Sequence, residues 1–96
     1  MDQSQSQEAW NDFLGLCLEI KDEKLLDEFL TYILTHEEKD SLITRFLITK
    51  GLIQAKMTQR DMAASMKVSI AKITRGSNAL KTIPPSLRDF LTKNFK

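Results

Sequence analysis

Apolar residues in this chain recur at helical spacing. From Glu8 they fall at Trp10, Phe13, Leu14, Cys17 and Leu18, one face of a helix. Asp22 to Leu34 repeats the pattern with Leu25, Leu26, Phe29, Leu30, Ile33 and Leu34. Only three Gly and two Pro interrupt the chain, and β-branched residues form no alternating run. These features predict an all-α fold. The 96 residues suffice for one domain, over 8–96, after a polar, disordered arm at 1–7. The first two helices supply more apolar surface than so short a chain can cover, and a partner chain is the economical solution.

End signals divide the remainder. Thr35 and Glu38 form a capping box, which opens a long helix from about His36 to Gln54. Its expected inner face is Leu42, Phe46, Thr49 and Ile53. Thr58 starts a short helix to about Ser65, and Met66, Lys67 and Val68 read as a tight connection. Ser69 caps a second short helix, Ile70 to Arg75, which Gly76 can terminate, with one further turn from Ser77 to Thr82. After Pro84 and Pro85, Ser86 is the expected cap of a last helix with Leu87, Phe90 and Leu91 inward.

Two short helices with a three-residue link, from Thr58 to about Gly76, make a helix-turn-helix. Met62, Met66, Val68 and Ile73 are apolar where the two helices must pack, and Ala63 is small where they cross. Lys67 stands where glycine often relieves the turn, so mild strain is expected there. The outward residues Gln59, Arg60, Ser69, Ala71, Lys72, Thr74 and Arg75 are polar or small, and small residues let a recognition helix approach base edges. Arg60 and Lys72 suit guanine. Lys56 and Lys81 suit phosphate, which positions without specifying.

Charge supports this reading. Residues 1–44 hold 11 acids and 3 bases, whereas residues 45–96 hold 2 acids and 11 bases. A polyanion facing the second half explains the split; attraction between opposite halves in a dimer is the alternative. For the helix-turn-helix itself, the alternative is a hairpin packed in a bundle with a solvated charged face.

Other chemistry finds little foothold. The single Cys17 excludes an intramolecular disulfide and a cysteine-based metal cluster, and reads as a small buried apolar residue. His36 is the one histidine and reads as solvated, so no metal is expected. Trp10 reads as a core residue. No catalytic triad, paired-carboxylate cleft or glycine-rich phosphate loop is present, and the chain is not expected to be an enzyme. The polar start lacks a signal-peptide pattern, and no apolar run approaches the roughly 18 residues of a membrane span. A cytoplasmic protein without a membrane role is the expectation.

The run Ile73, Thr74, Arg75, Gly76, Ser77, Asn78, followed by Leu80, Lys81 and Pro84, closely resembles the Trp repressor family. The resemblance extends through Leu34, Thr35, Glu37, Leu42, Thr44, Arg45, Met57, Gln59 and Arg60 to Leu87, Arg88 and Leu91, covering roughly 10–95. It implies six helices in an intertwined homodimer, with the two short middle helices as a reading head for operator DNA. It also implies L-tryptophan as co-repressor, wedged between head and core. The protein would then be a transcriptional repressor of tryptophan biosynthesis or uptake operons.

Carried over by position, the ligand residues are Leu34, Thr35 and Arg45 of one chain with Arg75, Gly76 and Ala79 of the other. The two arginines would sandwich the indole, and Arg75 would face the carboxylate. Carbonyls around Tyr32, Leu34 and Thr35 would accept from the ammonium. The DNA-facing set becomes Lys56, Gln59, Arg60, Ser69, Ile70, Ala71, Lys72, Thr74 and Lys81. The chain departs from the family pattern at four positions. Ala79 replaces a serine that helps hold the ammonium, Lys72 replaces a small hydroxyl residue, and Lys67 and Ser69 replace two turn glycines. Two other readings follow: a relative that binds DNA without tryptophan, and a helical dimerisation or adaptor protein.

Overall fold

Helix-stop and helix-start signals lie close together along this chain, and the computed structural model, which describes residues 1–95, breaks at them. Its elements are α1 (Gln3–Glu19), α2 (Glu23–Ile33), α3 (His36–Gln54), α4 (Gln59–Met66), α5 (Ile70–Leu80) and α6 (Pro85–Asn94). Among the described residues there is no strand.

Most of the boundaries follow from local hydrogen bonding. The Thr35 hydroxyl accepts from the Glu38 N–H at 3.1 Å, and the Glu38 carboxylate accepts from the Thr35 N–H at 2.8 Å. The expected capping box is therefore formed at the start of α3. A second box, unforeseen, opens α1: Asp2 accepts from the Gln5 N–H at 2.8 Å and Gln5 accepts from the Asp2 N–H at 3.2 Å. This reciprocal pair starts the helix at Gln3 instead of Glu8, because two otherwise orphaned donors are satisfied there.

Two other ends differ from expectation. α5 does not stop at Gly76 but runs to Leu80, and no glycine takes a positive φ. α6 is opened by Pro84 and Pro85 without a side-chain cap, so Ser86 is not the cap. Proline at the first helical position is already set to φ near −65°, and its missing N–H would have no helical partner anyway.

The chain divides into two compact units, Met1–Lys39 and the part from Asp40 onward. The N-terminal unit contains no fully buried residue. Trp10 stacks on Phe13 at 5.5 Å between ring centroids, and Phe13 meets Phe29 at 5.8 Å. Trp10 is nevertheless 54% exposed, so it is a rim residue and not the core residue expected. Cys17 is half-buried, not enclosed.

The second unit has a small core of Ile48, Met62 and Ile73, with Leu52, Ala63, Met66 and Val68 packed against it. α3 therefore turns Ile48 inward and leaves Leu42 and Phe46 about half exposed, contrary to the inner face expected. α3 has apolar residues on more than one side, among them Ile43, Phe46, Leu47 and Ile48, so its periodicity could not say which side would be covered first. On α6, Leu87 and Phe90 are likewise exposed and only Leu91 is half-buried. Phe46 meets Phe95 edge-on at 5.5 Å, and Arg88 donates to the Leu80 carbonyl at 3.1 Å, holding α6 to the end of α5.

Candidate nucleic-acid interface and ligand cleft

The reading head is built from two caps and one strained link. The Thr58 hydroxyl accepts from the Asp61 N–H at 3.0 Å, starting α4, and Ser69 accepts from the Lys72 N–H at 3.3 Å, starting α5. Between them Lys67 sits at φ 57°, ψ 43°, in the left-handed region. That conformation reverses the chain in one residue, and the Val68 N–H then donates to the Ala63 carbonyl at 3.1 Å. Left-handed backbone costs a side-chain-bearing residue about 1–2 kcal/mol, and glycine loses about 0.5–1 kcal/mol to entropy on ordering. Lys67→Gly is therefore expected to raise the thermal midpoint by a few degrees at fixed protein concentration.

Ile73, 0% exposed, is the inward residue of α5, as the sequence predicts. It packs with Met62 of α4 and Ile48 of α3. Two glycines set the approach of the helices. A Cβ on Gly76 would lie 2.8 Å from Ile48 Cγ2, and one on Gly51 would lie 2.7 Å from Met62 Cε. Gly76 is thus a close-packing residue within α5 and not a helix stop.

The two contacts predict opposite outcomes. The Ile48 methyl is fixed on a buried branched side chain, so Gly76→Ala strains the core by about 1–3 kcal/mol. That exceeds the roughly 1 kcal/mol that alanine gains in a helix interior. The Met62 methyl ends a flexible side chain that can swing aside, so Gly51→Ala keeps or raises stability. Urea unfolding of the two variants against the parent reads the sign of each.

All nine DNA-facing candidates are exposed: Lys56, Gln59, Arg60, Ser69, Ile70, Ala71, Lys72, Thr74 and Lys81. Ile70 is 48% exposed at the first position of α5, where an apolar side chain suits a thymine methyl. The Gln59 amide donates to the Ser77 hydroxyl at 3.3 Å, so it also ties α4 to α5.

On the other side of α5 lies a cleft of about 710 Å³, within the usual range of small-molecule sites. Arg45, Arg75, Gly76 and Ala79 all line it. The two arginines expected from different chains thus face a cleft formed by one chain. Ser41, Thr44, Arg45, Ile48 and Thr49 line it from α3, and Lys72, Arg75, Gly76 and Ala79 from α5. Both sets follow the i, i+3, i+4, i+7 spacing of one helical face. That spacing around Arg45 and Arg75 is the sequence signal for Ser41, Thr44 and Thr49, which are absent from the expected ligand set. It also puts Lys72 on the cleft side.

Tyr32, Leu34 and Thr35 belong to the N-terminal unit and are not among the lining residues. Leu34 is the C-cap of α2, its N–H donating to the Leu30 carbonyl at 2.9 Å, and Tyr32 is 86% exposed. The Thr35 carbonyl accepts from the Lys39 N–H at 2.9 Å. Among the described residues no group of three or more His, Cys, Asp or Glu is arranged to hold a metal ion, and no helix is long and apolar enough to cross a membrane.

The family model described as Trp repressor protein matches residues 8–95. A Trp operon repressor homolog of Chlamydia caviae is 45% identical over 91 residues, 95% of this chain and 90% of that protein. One from Chlamydia trachomatis is 39% identical over 90 residues, 94% and 96% of the two chains. A third, from Histophilus somni, is 35% identical over 88 residues, 92% and 83%.

Proposed function

Because the chain belongs to the Trp repressor family, a family of transcriptional repressors and not of enzymes, we propose that it is a homodimeric, sequence-specific DNA-binding repressor activated by L-tryptophan. Its targets are operons of tryptophan biosynthesis or uptake, and it acts in the cytoplasm.

The observation that carries this reading is the use of α5 by two sites. Lys72, Arg75, Gly76 and Ala79 share the cleft face, whereas Ile70, Thr74 and Lys81 share another face, at i, i+4 and i+11. A ligand seated between α3 and α5 therefore acts on the helix that meets DNA. Such coupling is allosteric in the thermodynamic sense, because two distinct sites bias one element.

The cleft suits an aromatic amino acid. Guanidinium planes at Arg45 and Arg75 match the face of an indole, and Arg75 can pair with a carboxylate. In the dimer, the carbonyl end of α2 around Tyr32, Leu34 and Thr35 would receive the ammonium.

Dimerisation is supported by the exposed apolar faces. Trp10, Leu14, Leu16, Leu18, Leu25 and Leu26 of α1 and α2 are 38–83% exposed. A segment this short, with no buried residue, does not hold together alone, and a second copy covers it. Dimeric helix-turn-helix proteins read half-sites one DNA turn apart, about 34 Å.

The test is fluorescence anisotropy of a labelled duplex from the protein's own upstream region at about 150 mM salt. Tightening by about tenfold with L-tryptophan, or roughly 1.4 kcal/mol of coupling, with a scrambled duplex unresponsive, is the expected result. Ala79 favours a second reading, DNA binding without tryptophan, since its methyl offers the ammonium no acceptor. Equal binding with and without tryptophan would select that reading. Should Arg60→Ala bind DNA no worse than the parent at equal salt, and the parent itself bind poorly, an adaptor role without DNA takes its place.

A further inference from the structure

We propose that Lys72 is a ligand-contacting residue, whose ammonium pairs with the carboxylate of the bound aromatic amino acid beside Arg75. This rests on the tryptophan reading of the cleft and assigns the group that makes the carboxylate indispensable.

Three observations converge on Lys72. It lines the cleft from the same face of α5 as Arg75, Gly76 and Ala79, one turn nearer the helix start. It is also the third residue of α5, inside a first turn that contains no acid. The positive end of the helix dipole disfavours a cation there and attracts an anion. An anion seated at that place offsets the repulsion between Lys72 and the helix start and uses both as its partners.

The third observation is the charge of the cleft. Its lining carries three cations, Arg45, Lys72 and Arg75, against one carboxylate, Asp40. Ala79, on the same face, has no group to accept from an ammonium. Recognition therefore leans on the carboxylate end of the ligand. The class bound is a flat aromatic acid, and an aromatic amine or amide without the carboxylate is rejected.

Calorimetry without DNA tests this, because no phosphate is then present to engage Lys72. The full chain, Lys72→Met and Lys72→Arg are each titrated with L-tryptophan and with L-tryptophanamide, whose carboxylate is neutralised. Far-UV circular dichroism checks that all three are equally helical. Expected is a loss of tenfold or more in L-tryptophan affinity for Lys72→Met and recovery to within threefold for Lys72→Arg. The amide is expected to bind the parent and Lys72→Met equally weakly, whether or not that binding is measurable.

If Lys72→Met binds L-tryptophan within twofold of the parent, or loses both ligands by one factor, the proposal is overturned while the tryptophan reading stands. If the parent binds no L-tryptophan, both fall together.

Discussion

Ile73→Ala is expected to unfold the reading head while α1 and α2 keep their helices. The side chain is fully buried, and truncating such a residue costs about 2–5 kcal/mol, part lost transfer energy and part cavity. The setting makes the loss severe. Only Ile48, Met62 and Ile73 are buried among the described residues, so one of the three members of that core is cut back. α4 and α5 have 8 and 11 residues, and isolated helices below about 12–15 residues are marginal in water. What holds them is their packing on Ile48 and Leu52 of α3.

Hydrogen exchange should therefore show loss of protection over α4 and α5, with DNA affinity falling by a factor of ten or more. Ile70→Ala is the control for stability alone: it removes a half-exposed side chain and should alter stability by less than about 0.5 kcal/mol. A change of under 1 kcal/mol for Ile73→Ala, on the order of ordinary surface substitutions, would mean that the head is held by something other than this cluster.

The second large effect is expected at Arg75. Its side chain is exposed along the cleft, so Arg75→Ala should leave helicity unchanged. On the tryptophan reading it removes a hydrogen bond to a carboxylate, about 1.5–3 kcal/mol, and a guanidinium stacked on an aromatic face, about 0.5–2 kcal/mol. Taken together these predict a loss of roughly thirtyfold or more in ligand affinity, and with it the ligand's effect on DNA binding. Arg75→Lys should recover little, because an ammonium has neither the planar fork nor the flat face. Calorimetry for the ligand and anisotropy for DNA separate the two losses. If Arg75→Ala kept the ligand response intact, the arginine would have no part in holding the ligand.

Residues within four positions of one another decide where helices begin. The Thr35–Glu38 box, the Thr58 and Ser69 caps and the link at Lys67 could therefore be read from short windows. The Asp2–Gln5 box was equally local but lay in a Gln- and Ser-rich stretch whose composition masked it. The helical class, the helix-turn-helix and its inward Ile73 followed from spacing. The run around Arg75 and Gly76 carried the family likeness.

The face that α3 covers was not legible, because α3 carries apolar residues on more than one side and only the approach of α4 and α5 selects Ile48 over Leu42 and Phe46. The continuation of α5 past Gly76 has the same origin: a missing side chain there serves the 2.8 Å approach to Ile48, which no local rule distinguishes from a helix stop. Arg45 and Arg75 are thirty residues apart, and they line one cleft only because α5 packs on α3 through that glycine. Hydrogen bonding along the backbone is short-ranged and written in the sequence, whereas the choice of packing face and the assembly of the cleft depend on contacts between distant segments, which exist only in the folded chain.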